Sequence, residues 1–314
     1  MSSPIKDINE VVNEFENLKK RLDLLDEGFR AAGSDYLHHI EISKVNKHEI
    51  FELKDNVMYR YFSAQFHLQT LIQHHQVILN RFAKILETDP SKILNEVYPV
   101  NPNFDFAEKE ISSVLDSTYF HLGAIFDYLR IVINFICGPL ASSSQKIKCT
   151  QLTRSCHDKH NHFGQLEIAK IVEQVDRELV DKLFEYRSYL IHKSGDQQRM
   201  SFKINFKKNG ANLKLDFFAT PKITKQFPEL KEEAKNNALT VNYVAFWTLH
   251  KSIDMIAKLL LALKYEMEKR STFPDHIGDD DLIFLHVDRK TNIELPASTP
   301  MWERFNKEIW SKSC

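Results

Sequence analysis

The sequence predicts a mainly α-helical protein: a four-helix-bundle core, an amphipathic helix ahead of it, and a β-hairpin inserted before its last helix. Three observations carry that prediction. The 314 residues include only 8 Gly and 10 Pro against 27% charged residues, a composition of long helices and few turns. Four stretches keep apolar residues at helical spacing over roughly 25 to 32 residues each, enough for a bundle about 40 Å tall. Between the last two of these stretches, around residues 200–218, the apolar period changes from 3.6 to 2.

The N-terminal segment places Ile5, Ile8, Val12, Phe15, Leu22, Leu25 and Phe29 at spacings of three, four and seven, a heptad-like stripe broken at Lys19. Such a stripe suits a helix packed on its own domain or an intermolecular coiled coil. Residues 34–55 are mixed and polar, with a short strand expected around His39 to Ile42. The first bundle helix is expected over 56–87, stopping at the Asp-Pro of ETDPSK because a residue before proline avoids the helical region. The second, over 106–137, ends at Cys-Gly-Pro. The third, over 165–193, ends near Gly195. The fourth, over 240–270, presents Val241, Val244, Trp247, Met255, Leu259, Leu263 and Met267.

Between the last two, Phe202, Ile204 and Phe206 alternate with polar residues, KKNGAN turns, and Leu213, Leu215 and Phe217 alternate again. Asn-Gly between alternating runs signals a hairpin. The stretch TPKITKQFPELKEEAKNN reads as a surface loop with a short helix. DHIGDDDLIFLHVDR reads as a strand, followed by a tail in which Trp302 and Trp310 dock on the core. The expected organisation is 1–55, an N-terminal helix and connector; 56–270, the bundle with its hairpin; and 271–314, the docking tail.

Lys and Arg total 42 against 43 Asp and Glu, so a net charge of −1 gives no global pull on nucleic acid or anionic lipid and argues against a dedicated duplex-DNA binder. Cys137, Cys149, Cys156 and Cys314 are few and irregularly spaced, as in a reducing compartment. MSSPIKDINEVVNEF lacks the apolar segment of a signal peptide. The most apolar run, YLRIVINFICGPLA, is interrupted by Arg130 and Gly-Pro and reads as too short for a bilayer. A soluble cytoplasmic protein with no membrane partner is expected.

GxGxxG, phosphate-loop, GxSxG, HExxH and paired CxxC patterns are absent, so nucleotide-driven, serine-hydrolase and zinc-peptidase chemistry have no support, and no cofactor is expected. The run C-H-D-K-H-N-H-F offers His157, His160 and His162 as metal-ligand candidates beside Cys156 and Asp158, with Cys149 nearby. A fixed zinc or nickel site needs four ligands converging in defined geometry, and a solvated polar loop accounts for the run better, so no metal is expected. A second group, His67, His74 and His75, lies on the first bundle helix; His67 and His74, seven apart, share a face, which suits a ligand pair or, the preferred reading, simply the wet side of the helix.

The stretch E-Y-R-S-Y-L-I-H-K-S-G-D, Glu185 to Asp196, is open to two readings. As helix punctuation, His192 and Lys193 favour the negative end of the dipole, Gly195 terminates, and Arg187 is simply exposed. As chemistry, Arg187 and His192 form an R-x4-H unit beside Tyr186, Tyr189 and Ile191. That unit, late in a bundle helix with one long helix after it, resembles the signature of the HEPN superfamily, a group of mostly helical nucleotide-binding and ribonuclease domains. The resemblance covers about residues 56–270.

The resemblance implies a metal-independent endoribonuclease, and beyond that a toxin or defence effector. His192 would move a proton at the ribose 2′-hydroxyl or the leaving oxygen, as its ordinary pKa near neutrality allows. Arg187 would stabilise the charge developing on phosphorus. Ser188 stands where many members carry a more strongly polar residue, and Tyr189 could stack on a base. Asp127 in GAIFDYLR could orient the imidazole or guanidinium; pairing with Arg130 or plain exposure is equally open. Residues five apart on a regular helix point about 140° from each other, so both reach one phosphate only through a loosened last turn or two subunits. The expected partners are RNA or a nucleotide and a second copy of the chain. The alternatives are a non-catalytic RNA- or nucleotide-binding module and a helical protein-interaction protein.

Overall fold

The computed structural model describes residues 8–40, 49–94, 101–138, 149–192, 196, 198–207, 210–234, 238–273, 285–287 and 294–310. Among these the chain is mainly helical, with small antiparallel pairings of short strands. In order it forms α1 (Ile8–His39), α2 (Glu49–Thr88), α3 (Ser91–Leu94), α4 (Pro102–Cys137), α5 (Cys149–His157), a 3₁₀ turn (Phe163–Gln165) and α6 (Ile168–Val175). A π-helical turn (Asp176–Val180) then leads into α7 (Asp181–His192), followed by β1 (Arg199–Lys207), β2 (Gly210–Phe218), α8 (Pro221–Gln226), α9 (Pro228–Ala234) and α10 (Val241–Lys269). The chain ends with β3 (Leu285–Val287), β4 (Glu294–Pro296) and α11 (Thr299–Glu308).

Several boundaries have visible causes. α4 starts where Pro102 supplies a first position that needs no N–H and Asn101 accepts the Asn103 N–H at 2.9 Å. It closes at Gly138, whose N–H reaches Asn134 O at 2.9 Å. α2 opens with Glu49 and Glu52 in its first turn, favoured by the positive end of the dipole, and stops ahead of Asp89-Pro90. Pro221 and Pro228 stand first in α8 and α9. The hairpin keeps one register from Arg199↔Phe218 to Lys207↔Gly210 and buries Met200, Leu215 and Phe217.

The structure departs from the sequence expectations in identifiable places. α1 runs through His39, where a strand was expected; Thr272 N–H covers the His39 carbonyl at 2.7 Å, and residues 41–48 lie outside the described residues. In the predicted α1 stripe Val12 is exposed, and Val11 and Leu18 are buried instead; Ile5 lies outside the described residues. The third predicted helix is continuous from Ile168 to His192 but passes through the π turn, in which Asp181 N–H bonds back five residues to Asp176 O. Cys156 and His157 belong to α5 and not to a loop. The stretch after β2, expected as a surface loop with a short helix, forms α8 and α9 and buries Ile223, Phe227 and Leu230, with Phe227 between the two helices.

The chain divides into two compact units. The first comprises residues 1–16, 62–123 and 182–250; its core holds Leu68, Phe82, Phe104, Tyr119, Tyr186, Phe217, Phe227 and Trp247. The second comprises residues 17–61, 124–181 and 251–314, around Leu22, Phe29, Tyr36, Tyr61, Phe135, Leu260 and Phe305. In this second unit Trp302 is buried, whereas Trp310 is 44% exposed. Among the described residues α4 is the one helix long and apolar enough to cross a membrane, and 61% of its most apolar window is buried within the protein.

Candidate functional site

The sequence directs attention to α7, in the first unit. Its apolar residues Leu183, Tyr186 and Leu190 are buried at spacings of three and four and fix the helix's inward side. Arg187 follows Tyr186 and is half-buried, not exposed. Its guanidinium carbon lies 5.9 Å from the Phe184 ring centre. Its aliphatic stem lies against α4 at Gly123, where an added Cβ would stand 2.9 Å from Arg187 Cδ. His192 is exposed as the last residue of α7, and the helix is regular up to it, so no loosened turn brings it round toward Arg187. Gly195 lies outside the described residues. Ser188 is exposed, and Tyr189 is half-buried with the Lys222 ammonium over its ring. Asp127 belongs to the second unit, where its Oδ1 accepts from Arg130 Nη1 at 3.1 Å.

Beside α7, still in the first unit, lies a buried polar network that sequence reasoning missed. Tyr186 donates its hydroxyl to Asp196 Oδ2 at 2.9 Å, and Thr220 donates to the same oxygen at 2.5 Å. Gln198 Nε2 donates to the Asp196 carbonyl, while Gln198 Oε1 accepts the Thr220 N–H at 3.0 Å. The Gln198 N–H reaches Ser112 Oγ at 2.8 Å, and the Met200 N–H reaches Glu108 Oε1 at 2.8 Å, so α4 side chains secure the entry of β1. Tyr119 and Thr248 share a hydroxyl bond of 3.0 Å. Burial pushes the phenols of Tyr119 and Tyr186 far up, so both are neutral donors.

A second carboxyl, Asp116 on α4, completes this region. Burial first, and the Asp196 charge second, push Asp116 up to about 7, and its Oδ1 is buried with no hydrogen-bond partner among the described residues. A carboxyl raised in this way, close to a second buried carboxyl, is the kind of group found at functional sites as well as in structural networks. One sequence signal could have found it: an aspartate inside the apolar run of VLDSTYF.

The histidines are dispersed. His67 stacks on His121 with ring centres 5.0 Å apart, and His74 Nε2 faces Glu110 at 3.5 Å. His75 is not on a wet face: it is buried, with Nε2 3.0 Å from Leu215 O and Nδ1 3.0 Å from Asn242 Nδ2. That pairing fixes the tautomer with the proton on Nε2, and burial lowers its pKa. In the second unit His157 pairs with Glu173 at 2.9 Å, and His162 Nε2 bonds Cys137 O at 2.7 Å. His160 uses its backbone N–H on Asp158 at 2.9 Å. Among the described residues no three His, Cys, Asp or Glu side chains converge as a metal-holding group. Burial, followed by Glu173 and Asp176, pushes the Cys156 thiol up to about 12, which removes it as a nucleophile. No family model, curated protein or solved structure matches the chain.

Proposed function

We propose that the chain is a metal-independent, HEPN-like endoribonuclease in which Arg187 and His192 act on RNA. The observation that supports this reading is the place of Arg187, half-buried in a gap that exists because residue 123 has no side chain. An arginine serving only as helix punctuation would stand in solvent and need no such gap. His192, at the exposed end of α7, stands where a substrate can reach it. It takes the 2′-hydroxyl proton, the 2′-oxygen attacks phosphorus as the P–O5′ bond breaks, and the leaving 5′-oxygen takes a proton from water. The products are a 2′,3′-cyclic phosphate and a 5′-hydroxyl. Arg187 neutralises charge on the non-bridging oxygens.

Five residues along a regular helix correspond to a rise of about 7.5 Å and a turn of about 140° from alignment. One chain therefore does not present both groups to one phosphate, and the reading requires a homodimer in which each site takes His192 from one copy and Arg187 from the other. In the same reading α2, α4, α7 and α10 supply the four-helix core, and the protein acts in the cytoplasm as a toxin or defence effector.

The test is incubation of the purified protein with single-stranded RNA in EDTA, beside Arg187→Ala, His192→Ala and an all-deoxy substrate. Cleavage leaving cyclic phosphate ends, lost in both variants and absent on the deoxy strand, is expected. RNA retained without cleavage in the wild type, with affinity lost in Arg187→Ala, would replace the enzyme with a binding module. Equal activity in all three proteins would remove the site. A protein-interaction role is favoured by one separate observation: α2 leaves Phe62, Phe66 and Val77 exposed along one face.

A further inference from the structure

The β1–β2 ribbon concentrates positive charge that the chain as a whole does not have. Residues 199–218 carry Arg199, Lys203, Lys207, Lys208 and Lys214 against Asp216 alone, a net charge of +4 in a protein whose total is −1. The strand register sets Lys203 directly opposite Lys214, and both are exposed. Residues so placed have Cβ atoms about 4.5–5.5 Å apart, and like charges there weaken a strand pair. Lys214 meets Asp216 at 3.5 Å, which leaves one acid for two opposed cations. An anion lying across both ammonium groups turns the repulsion into attraction.

The ribbon is anchored beneath this charge. Its other face buries Met200, Leu215 and Phe217. The Gln198 N–H on Ser112 and the Met200 N–H on Glu108 tie its base to α4, and the Tyr186–Asp196 bond ties it to α7. Arg199 follows His192 by seven residues, so their Cα atoms are at most about 25 Å apart. The lysine pair therefore stands on a held arm that starts beside α7, within the first unit.

The outer face also chooses between polyanions. Among the ribbon's described side chains the exposed ones are Arg199, Lys203, Asn205 and Lys214, none of them apolar. A surface that docks on an anionic bilayer needs apolar side chains to enter it as well as cations. Lysines with an amide two residues away suit a sugar–phosphate backbone and the hydrogen-bonding groups next to it.

We infer that the outer face of the β1–β2 ribbon holds single-stranded RNA by its phosphates, through Lys203 and Lys214. This deepens the ribonuclease reading and rests on it for the choice of RNA.

The test is fluorescence anisotropy of a labelled 2′-O-methyl RNA strand, which lacks the nucleophile and cannot be cleaved, titrated with the full chain at several salt concentrations. Wild type is compared with Lys203→Gln/Lys214→Gln and with Lys159→Gln/Lys170→Gln, which removes the same charge from the second unit. The ribbon variant is expected to bind about tenfold more weakly, with a log–log salt slope shallower by about 1.4, since each single-strand phosphate contact contributes about 0.7. Its thermal midpoint is expected at or above that of wild type, because it loses a repulsive pair. The control variant is expected to keep wild-type affinity and slope. An unchanged slope in the ribbon variant, or no binding by wild type at about 100 μM protein in low salt, overturns the inference. Binding to phosphatidylserine vesicles but not to the strand would make the face a membrane contact and overturn it too. Strand binding through the ribbon in a protein that cleaves no RNA upholds the inference and removes the ribonuclease reading. RNA cleavage that keeps its KM in the ribbon variant does the reverse.

Discussion

Tyr186 donates its hydroxyl to the Asp196 carboxylate at 2.9 Å, inside the core of the first unit. The bond joins the buried side of α7 to the residue that leads into β1, and Thr220 reaches the same oxygen from the start of α8. Replacing Tyr186 with Phe keeps the ring, which packs at 4.8 Å from Tyr119, and deletes one hydrogen bond to a charged group. The expected cost is about 1.5–3 kcal/mol. Asp196→Ala should cost more, since it leaves two buried hydroxyls without their acceptor. Urea unfolding of the three proteins checks this; a Tyr186→Phe midpoint equal to wild type would show that the bond contributes nothing.

Asp116 sets a pH dependence of definite sign. Its folded pKa is raised from 3.8 to about 7, so the stability its neutral form carries is fully present below about 3.8 and is lost as pH rises through about 7. His75 acts oppositely: its pKa is lowered from 6.5, so its contribution is present above about 6.5 and is lost on acidification. A series from about pH 6.5 to 8 therefore separates Asp116 from His75. Asp116→Asn should flatten the decline of the unfolding midpoint across that range by about 1 kcal/mol, a figure kept low because the side chain is partly solvated. Parallel curves for variant and wild type would show that Asp116 ionises freely.

Much of this fold was legible locally. Cys-Gly-Pro marks the end of α4, and Asn-Gly between alternating runs gives the hairpin and its register, because turn chemistry acts over a few residues. The π turn was not legible, since Val172, Val175, Leu179 and Leu183 keep helical spacing straight through it. α5 was missed because CTQLTRSCH is mostly polar; after β2 one short helix was expected on the surface where α8 and α9 form, because the lysines and glutamates there conceal Ile223, Phe227 and Leu230. In the site, Arg187 and His192 were visible as a motif. The burial of Arg187 depends on Gly123, and the raised carboxyl of Asp116 depends on Asp196; both come from segments distant in sequence.

Gly123 tests whether the position of Arg187 matters. Alanine in a helix interior is favoured over glycine by about 1 kcal/mol, yet a Cβ here would lie 2.9 Å from Arg187 Cδ. The arginine stem is flexible enough to move, so Gly123→Ala should leave stability within about 1 kcal/mol of wild type while displacing the guanidinium. The ¹⁵Nε resonance of Arg187 should shift, and under the proposed ribonuclease reading any RNA cleavage should fall as far as in Arg187→Ala. An unchanged resonance would mean that the gap does not set the place of the side chain.

Trp302 anchors α11 in the second unit through one bond, its indole N–H to Asp35 Oδ2 at 2.6 Å, while Ser298 holds the other carboxylate oxygen. Burial raises Asp35 despite the lowering effect of both donors and of the nearby Lys264. Close packing adds to this, because a Cβ at Gly28 would meet the Phe305 ring at 2.7 Å. Trp302→Phe removes a donor to a buried carboxylate and opens a small cavity, an expected loss of about 2–4 kcal/mol. Gly28→Ala strains the same helix at Phe305. Because both changes release one element, their combined cost should fall short of the sum. Hydrogen exchange locates the effect: α11 amides should exchange faster in Trp302→Phe, while β1 and β2 amides keep wild-type protection. Unaltered α11 protection would mean that the indole bond does not hold the helix in place.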